Sequence, residues 1–507
     1  MDVILPPVMQ GCNFCKATIE GIADFSNAVI RAVADFREVT FGSDANFNLV
    51  CIEGSAHFRG ATVGRDAEFR AATIKHGLDF RAATIKGVAY FNEAVIGGNA
   101  NFRKATMEQD CDFNRTTIHG NSYLEKVHTG WLSFENAEIG NTLRLDESMI
   151  HDVSFKHARL AAGLTVKGAE IARNMLLDHL TAGADCQLDG VEIGGTLFMR
   201  DAAIKGSAYL TSSRIGGAVM LDGTVIDGDL NLLRVQIDGS IRLRDASIAG
   251  DLNLQESDIA RRARLDFGRL DGKLSCRDCE IGTTLTLPPV AVHIGPVNFD
   301  GCRARHLDLG DGRPRIRGWG HERCGIYLSQ VNTSPSFWRF AQRTFASEGK
   351  RTEADAAFYF ERIALWKNLR GMRPPENSSE ARRVKAGLAR AGYWFLFWLD
   401  CLFLRWMTAY GASLARLITT WFAVIGGFGI AFSAVPELIE RGGAQVWTCS
   451  NWIIGFHYSA TTFATLGLGH VGPGPSRLGM VLTSIEALLG AVLIALAVLV
   501  IGRRFMR

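Results

Sequence analysis

Ala45-Asn-Phe-Asn-Leu-Val-Cys-Ile-Glu-Gly-Ser-Ala-His-Phe58 shows the pattern that decides the fold of the first 300 residues. The large apolar residue Phe47 returns eleven residues later as Phe58, and a second apolar residue, Ile52, stands five residues after Phe47. The same eleven-residue step continues over residues 14–287, interrupted by two one-residue deletions. A fixed period of this length indicates a repeat architecture, in which each unit buries its apolar residues against its neighbours.

The spacing inside each unit distinguishes strands from a helix. An eleven-residue period also fits three turns of helix. In a helix, however, a five-residue step turns the chain through about 500°, so the two apolar positions would lie about 140° apart and share no stripe. Units such as Gly217-Ala-Val-Met-Leu-Asp-Gly-Thr-Val-Ile-Asp227 are also rich in glycine and β-branched residues, which favours short strands. We therefore predict a β-solenoid over residues 10–300, with either two units (22 residues) or three units (33 residues) per coil.

A small residue commonly stands two positions before the large one, as in Ala45-Asn-Phe47, Ala67-Glu-Phe69 and Ala100-Asn-Phe102. This pattern resembles the pentapeptide-repeat family, although the family spacing is 5+5 and this chain uses 5+6. The resemblance covers roughly residues 10–300. It implies a right-handed quadrilateral β-helix whose interior is filled by stacked Phe and Leu, without room for a ligand.

The cysteines fit the same pattern and do not indicate a metal site. Cys12, Cys111 and Cys186 occupy the small position of the repeat, and Cys276 occupies the large one. Neither of the Cys-x-x-Cys pairs has a second pair nearby, as a zinc site would require. We therefore expect core packing and no metal. The N-terminus has no secretory signal pattern, so we expect it to stay in the cytoplasm with its thiols reduced.

Charge is distributed unevenly along the 507 residues. Residues 1–300 contain 30 Lys and Arg against 39 Asp and Glu, a net charge of −9, whereas the remaining 25 and 13 give +12. The total of +3 argues against a strongly basic nucleic-acid-binding protein, so no nucleic acid is expected as a partner. Because the basic half also contains the long apolar runs, it indicates a lipid bilayer as the partner of that half.

Residues 301–380 read as a basic linker followed by two helices. Ser334 is predicted to cap the first helix, with Pro335 at its first position and a stop at Gly349. The second is predicted to run from Thr352 to about Leu369. The pair resembles a single tetratricopeptide-like hairpin. We favour a structural coupling role for it over a peptide-binding groove, because one hairpin makes little groove.

Two apolar runs in residues 413–507 are long enough to cross a membrane. Leu417–Pro436 has no charge, and Leu478–Gly502 has one. Before them, an aromatic segment at residues 393–406, within an expected helix at 385–412, either spans the membrane or lies in its interface. An interfacial position leaves all flanking Arg and Lys residues on one side. The positive-inside rule therefore favours two spans, with both termini cytoplasmic in the cell (inner) membrane.

Between the spans lies a segment that predicts a re-entrant pore loop. A half-membrane helix would follow Ser450 and end at Phe463, and Thr465-Leu-Gly-Leu-Gly469 would come next. Irregular backbone at membrane depth is tolerated only where it lines a cavity enclosed by protein or filled with water. Glycines allow successive carbonyls to turn toward one axis, where they can replace the hydration shell of a cation.

This order of span, pore helix, glycine-containing loop and span resembles the two-transmembrane potassium-channel family over residues 413–505. The resemblance implies a homotetramer and a selectivity filter whose carbonyls come from Thr465, Leu466, Gly467, Leu468 and Gly469. Leu468 replaces the family tyrosine and His470 replaces the family aspartate at the outer mouth, so preference for K⁺ over Na⁺ is left open. His470 either makes the mouth sensitive to pH or is a plain loop residue.

Two residues of the second span, Glu486 and Gly490, are candidate functional residues. Glu486 is an intramembrane carboxyl group, which is costly in a membrane, so we expect it to face protein or the pore vestibule and to brace the filter or concentrate cations. Gly490 falls where the family places its gating hinge, but a glycine there also permits close helix packing. Both interpretations stay open at this stage.

The sequence therefore predicts a mixed fold, a β-solenoid joined through an α-helical connector to a two-span pore module. Its predicted function is that of a potassium-channel-like cation channel, bacterial in type and regulated by the solenoid. No enzyme activity and no resident cofactor are expected, and K⁺ is the expected permeant ion. The alternative is a membrane-anchored interaction scaffold with a vestigial or non-selective pore, in which the solenoid binds an unknown protein partner.

Overall fold

The computed structural model describes residues 3–4, 8–287, 296–309, 315–317, 321–323, 334–371, 414–435, 438–441, 451–465, 471–473 and 476–505. The chain divides into two compact units. One comprises Met1–Arg313 and Gly325–Lys350, and the other comprises Pro314–Cys324 and Arg351–Arg507. The division therefore falls inside the predicted connector. The aromatic segment at 393–406 lies outside the described residues.

Each coil of the solenoid contains two eleven-residue units. Ala23 pairs in parallel register with Ala45, and Asp24 pairs with Asn46, so the chain returns to the same face after 22 residues. One coil places a two-residue strand on each of four faces: Ala23–Asp24, Val29–Ile30, Ala34–Asp35 and Thr40–Phe41. The structure therefore selects 22-residue coils over the 33-residue alternative.

The four faces are four parallel ladders of strands, each continued by a new strand about every 22 residues. The first ladder runs from Val3–Ile4 to Arg303–Asp308, and the second from Val8–Met9 to Arg269–Leu270. The third ladder runs from Cys12–Asn13 to Val297–Asn298, and the fourth from Thr18–Ile19 to the same long strand, Arg303–Asp308. The second ladder has 13 strands and the third has 14. The strands thus extend slightly beyond the predicted limits of 10–300.

The two one-residue deletions of the repeat remove the same corner from two neighbouring coils. Where they occur, the separate short strands become the six-residue strands His128–Ser133 and Met149–Ser154. These strands lie side by side, with Trp131 opposite Asp152. Because both neighbouring coils lack the same corner, their two long strands pair along their length and the ladder continues without a gap.

The interior of the N-terminal half is an aromatic stack. Phe25 lies parallel to Phe47 with ring centroids 4.6 Å apart, and Phe36 lies parallel to Phe58 at 4.8 Å. Between these two columns the rings meet edge to face, as Phe25 and Phe36 do at 5.1 Å. Both arrangements are favourable for aromatic quadrupoles, adding about 0.5–1.5 kcal/mol per pair beyond area burial. The large position of the repeat is thus the core position that the sequence predicts.

Nearly every large residue of the repeat is followed by a tight turn in which one residue has a left-handed backbone conformation; Leu265 is an exception, since Phe267 has no positive φ. The Ala17 N–H, for example, donates to the Phe14 carbonyl at 2.9 Å, and Lys16 between them has a φ of 61°. Among the described solenoid residues other than glycine, those in this position include Lys, Glu, Asn, Asp and His but no β-branched residue. This exclusion follows from sterics, because a β-branched side chain is the least tolerant of positive φ.

Buried thiols of the solenoid behave as small apolar residues. Burial raises the pKa of the Cys12 thiol to about 11 and that of Cys186 to about 12. Such thiols stay protonated and unreactive at neutral pH. Both occupy the small position, as the sequence predicts.

Helix α1, Pro335–Ser347, covers the C-terminal end of the solenoid within the first unit. Its Phe337 and Phe340 pack on Phe299 of the last coil, with centroids 5.4 and 5.3 Å away. Ser334 stands at the N-cap position with Pro335 next to it in the first turn, as predicted from sequence, but its side chain makes no capping hydrogen bond. Its hydroxyl instead donates to the Val297 carbonyl at 2.7 Å, because the start of α1 lies against the coil. The open edge of the ladders is thereby closed.

The second unit contains the remaining described helices and two short strand pairs. The helices are α2 (Arg351–Gly371), α3 (Leu414–Ala434), α4 (Asn451–Phe463) and α5 (Arg477–Phe505). The strand pairs, both antiparallel, are Arg315–Arg317 with His321–Arg323 and Ile439–Arg441 with Val471–Pro473. All four helix positions agree with the sequence prediction to within a few residues.

Candidate ion-conduction site

Helices α3 and α5 are long and apolar enough to cross a membrane, over Arg416–Ala434 and Arg477–Gly502. Leu417, near the start of α3, packs in one cluster with Leu493 and Val500, near the end of α5. The two helices therefore run antiparallel. The start of α3, at Arg416, and the arginine-containing end of α5 therefore lie at the same end of the helix pair.

Helix α4 crosses α3 at a point where both backbones come close. A Cβ atom on Gly455 of α4 would lie 2.8 Å from the Ser433 nitrogen and 2.9 Å from the Gly429 carbonyl oxygen. Only glycine permits that approach, since real Cβ contacts are longer. Ser433 donates its hydroxyl to the Gly429 carbonyl at 2.6 Å, which satisfies it inside α3.

Polar groups of the three helices meet at Ser459 in the middle of α4. Its hydroxyl donates to the carboxyl group of Glu486 on α5 and lies 2.9 Å from the Ile425 carbonyl oxygen on α3. Ser459 and Glu486 are both fully buried. The second carboxyl oxygen of Glu486 has no hydrogen-bond partner in the described part of the chain. Glu486 therefore faces protein, against the middle of α4.

A second polar contact joins α4 and α5 about one turn nearer the N-terminal end of α5. The Tyr458 hydroxyl lies 3.1 Å from the Thr483 hydroxyl of α5. The Tyr458 ring packs against Phe432 of α3 at 5.0 Å, in a cluster that includes Ile454. Tyr458 thus contacts both spans from the middle of α4.

The C-terminal end of α4 is held by apolar contacts. The Phe463 ring meets the Trp421 ring of α3 at 5.8 Å and belongs to the same cluster as Leu493 of α5. A Cβ atom on Gly490 would lie 2.8 Å from the carbonyl carbon of Phe463. Gly490 is buried within a continuous α5, so the structure shows it as a close-packing glycine beneath the pore helix.

Directly after α4 the backbone leaves the helix at Thr465. The N–H of Thr465 still donates to the Thr462 carbonyl at 3.0 Å, but its φ is 54°. Positive φ in a β-branched residue is a genuine outlier, and such outliers concentrate at functional sites. The other predicted filter residues, Leu466 to Gly469, and His470 lie outside the described residues.

The chain that returns from the loop pairs with the chain that leaves α3. Ile439 lies opposite Pro473, and Arg441 lies opposite Val471, in antiparallel register. Leu438 and Ile439 are buried in the cluster around Tyr458. Both ends of the predicted filter loop are consequently anchored, one by α4 and the other by this strand pair.

Each half of the chain contains a segment that matches a known protein family. Residues 69–117 match pentapeptide repeats (9 copies), and residues 417–507 match an ion channel. No curated protein and no solved structure gave a match. The chain is therefore a fusion of a pentapeptide-repeat β-solenoid with an ion-channel domain. Both families are of non-enzymatic kinds, and the channel domain with its two apolar helices identifies a membrane protein.

Several residues that position the site were missed from sequence. Ser459, Gly455 and Trp421 each contact a helix far away in the chain, so local pattern does not reveal the partner. The only signal was a small or polar residue within an apolar helix, which also fits simple helix packing. The sequence could have flagged Gly455 and Ser459 for this reason but could not have assigned their contacts.

Proposed function

We propose that the protein is a potassium-channel-like cation channel that conducts ions passively through a filter of backbone carbonyls. One observation carries the proposal: α4 lies between two membrane-spanning helices and ends two residues before Thr465, the first residue of Thr465-Leu-Gly-Leu-Gly469. The C-terminal end of a helix carries partial negative charge, which favours a cation at the position that follows it. Carbonyls of Thr465 to Gly469 would supply the ligands.

A single chain provides only one such loop, and an ion must be surrounded on all sides. We therefore propose a homotetramer with cyclic symmetry, in which four loops meet on one axis. We also propose that the protein lies in the cell (inner) membrane with both termini in the cytoplasm, because the basic ends of α3 and α5 lie on one side.

K⁺ is the proposed permeant ion, on the family resemblance. Leu468 removes the hydroxyl that braces the family filter, and His470 removes an anionic charge from the outer mouth. Glu486, held by Ser459 behind the pore helix, is the proposed substitute brace. In this proposal Gly490 serves the packing of α5 against Phe463.

Gating would be biased from the cytoplasmic side by the solenoid. This part of the proposal rests on the chain order, in which the solenoid is joined through α1 and α2 to the first span. Deleting residues 1–300 should change the open probability. Unchanged gating in the deleted protein would overturn the regulatory role and leave the channel assignment intact.

The deciding experiment is a reversal-potential measurement on the purified full-length protein in a planar bilayer, with K⁺ on one side and Na⁺ on the other. Conduction that disappears in Gly467→Asp supports the channel. Gly426→Ala is the control, because a Cβ at Gly426 meets nothing within 4 Å. No flux from the wild-type protein would favour the anchored scaffold, to which the departures at Leu468 and His470 give some support.

A further inference from the structure

One buried pair of side chains joins the connector to the pore module in the described part of the chain. Arg416 stands at the inner end of α3, and its guanidinium carbon lies 5.9 Å from the centroid of the Tyr359 ring of α2. Tyr359 is 0% exposed and Arg416 is 6% exposed. A cation at this distance from an aromatic face is attracted by the ring quadrupole, and more strongly when water is excluded.

The same end of α3 also contacts the inner half of α5. Leu417, the residue after Arg416, is fully buried in the cluster with Leu493, Ala497 and Val500. Two adjacent residues of α3 thus face two different partners, since Arg416 meets the connector and Leu417 meets the inner half of the second span. A displacement of α2 that moved Arg416 would move Leu417 with it, because one turn of helix is rigid on this scale.

Side-chain hydroxyls of α3 reinforce this turn. Thr420 donates to the Arg416 carbonyl at 2.8 Å, and Thr419 donates to it at 2.9 Å. Such back-bonding within a helix occupies the carbonyl that would otherwise bond only the i+4 N–H, and it often bends the helix. The first turn of α3 is therefore fixed by side chains on three sides: the ring of Tyr359, the cluster around Leu417 and its own threonines.

We propose that Tyr359 and Arg416 are positioning residues that transmit the state of the cytoplasmic connector to the gate. The inference rests on the proposed channel function and deepens it, because it names the contact through which regulation reaches the pore. Tyr359 holds α2 against Arg416, and Leu417 passes the position of α3 to Ala497 and Val500 of α5.

The variants follow from the chemistry of the pair. Tyr359→Leu removes the aromatic face and keeps an apolar residue of moderate size, whereas Tyr359→Phe keeps the face. Arg416→Gln removes the cation from the other partner. The matched control is Phe358→Leu, because Phe358 lies on the same helix and contacts Arg362 at 5.1 Å without being part of the Tyr359–Arg416 pair.

Two readouts are made on the full-length protein in liposomes. Hydrogen exchange of the α2 amides should speed up by about twofold to thirtyfold in Tyr359→Leu and in Arg416→Gln, the range that corresponds to one cation–π contact. Open probability should shift in the same two variants with an unchanged reversal potential. Tyr359→Phe and Phe358→Leu should match the wild type in open probability.

The outcomes separate the inference from the function on which it rests. If the wild type conducts and Tyr359→Leu gates normally, the inference is overturned and the channel assignment stands. Faster exchange of α2 with unchanged gating also overturns it, because the contact then only holds the helix. Absence of any wild-type flux overturns the proposed function itself, whatever the exchange data show.

Discussion

The Ser459 hydroxyl donates a hydrogen bond to the Glu486 carboxyl group across the interface between the pore helix and the second span. This pairing gives a costly intramembrane carboxyl group a partner, and it ties the middle of α4 to α5. The same hydroxyl lies beside the Ile425 carbonyl, so all three helices of the pore module meet at one oxygen atom. The stability of the module should therefore depend on Ser459 more than on any solvent-facing serine.

Ser459→Ala should lower the stability of the pore module by about 1–3 kcal/mol, the cost of leaving a buried polar group without its hydrogen bond. The measurement is the thermal unfolding midpoint of the full-length protein in detergent. Ser484→Ala is the matched control, because Ser484 lies on an exposed part of α5 and donates only to the Met480 carbonyl of its own helix. Equal midpoints for the two variants would contradict the role assigned to Ser459.

Gly490→Ala should reduce the yield of folded protein, because the added Cβ would meet the backbone of Phe463 at the end of the pore helix. Phe463 is the last residue of α4 and stands two residues before the proposed filter. Gly427→Ala provides the comparison, since a Cβ there meets no atom within 4 Å. Size-exclusion profiles of the two purified variants test the difference. A well-folded Gly490→Ala protein with altered gating would instead favour a hinge at this position.

The repeat and the helices could be predicted because their signals are local. The eleven-residue spacing of the Phe series is enough to predict that each of these Phe residues is buried. The apolar run that ends at Phe463 has the length of a helix. The number of units per coil was left open because it depends on strand pairing, seen as the register of Ala23 with Ala45. Spacing along the chain does not fix which strand lies beside which.

Contacts between distant segments were missed for the same reason. Serine is a common helix-capping residue, but the Ser334 hydroxyl donates to the Val297 carbonyl of the last coil. Ile439 and Pro473 pair as strands although neither segment has a strand pattern. In both cases tertiary neighbours decide the partner, and local propensity is overridden.

Leu49→Gly should stabilise the solenoid, whereas Leu49→Val should destabilise it, each by about 1 kcal/mol. Leu49 is 59% exposed and has a φ of 58°, so its conformation matters more than its packing. The solenoid transition in circular dichroism is the measurement. At Val95, an exposed strand residue, the change to glycine should have the opposite sign, because glycine weakens a strand. A lower midpoint for Leu49→Gly would contradict the strain argument.

Asp178 and Arg200 form an ion pair between neighbouring coils whose contribution should depend on pH. Arg200 donates to Asp178 through its side chain at 2.6 Å and through its backbone N–H at 2.9 Å. Burial acts to raise the pKa of Asp178, but these hydrogen bonds and the charge of Arg200 outweigh it and hold the pKa below its ordinary value. A carboxyl group with a depressed pKa in the folded state stabilises that state above its unfolded pKa of about 4. The stability is lost as the pH falls through the folded value.

Asp178→Asn should therefore lower the stability of the solenoid by about 1–2 kcal/mol at neutral pH, a figure reduced for the half-exposed Arg200. The difference from wild type should shrink on acidification below about pH 4, where Asp178 of the wild type also becomes neutral. Glu53→Gln is the control, since Glu53 pairs with Lys75 in solvent and the change should leave the stability close to that of the wild type. A difference between Asp178→Asn and wild type that stays constant from pH 7 to below the folded pKa would show that the carboxyl group acts through shape and not through charge.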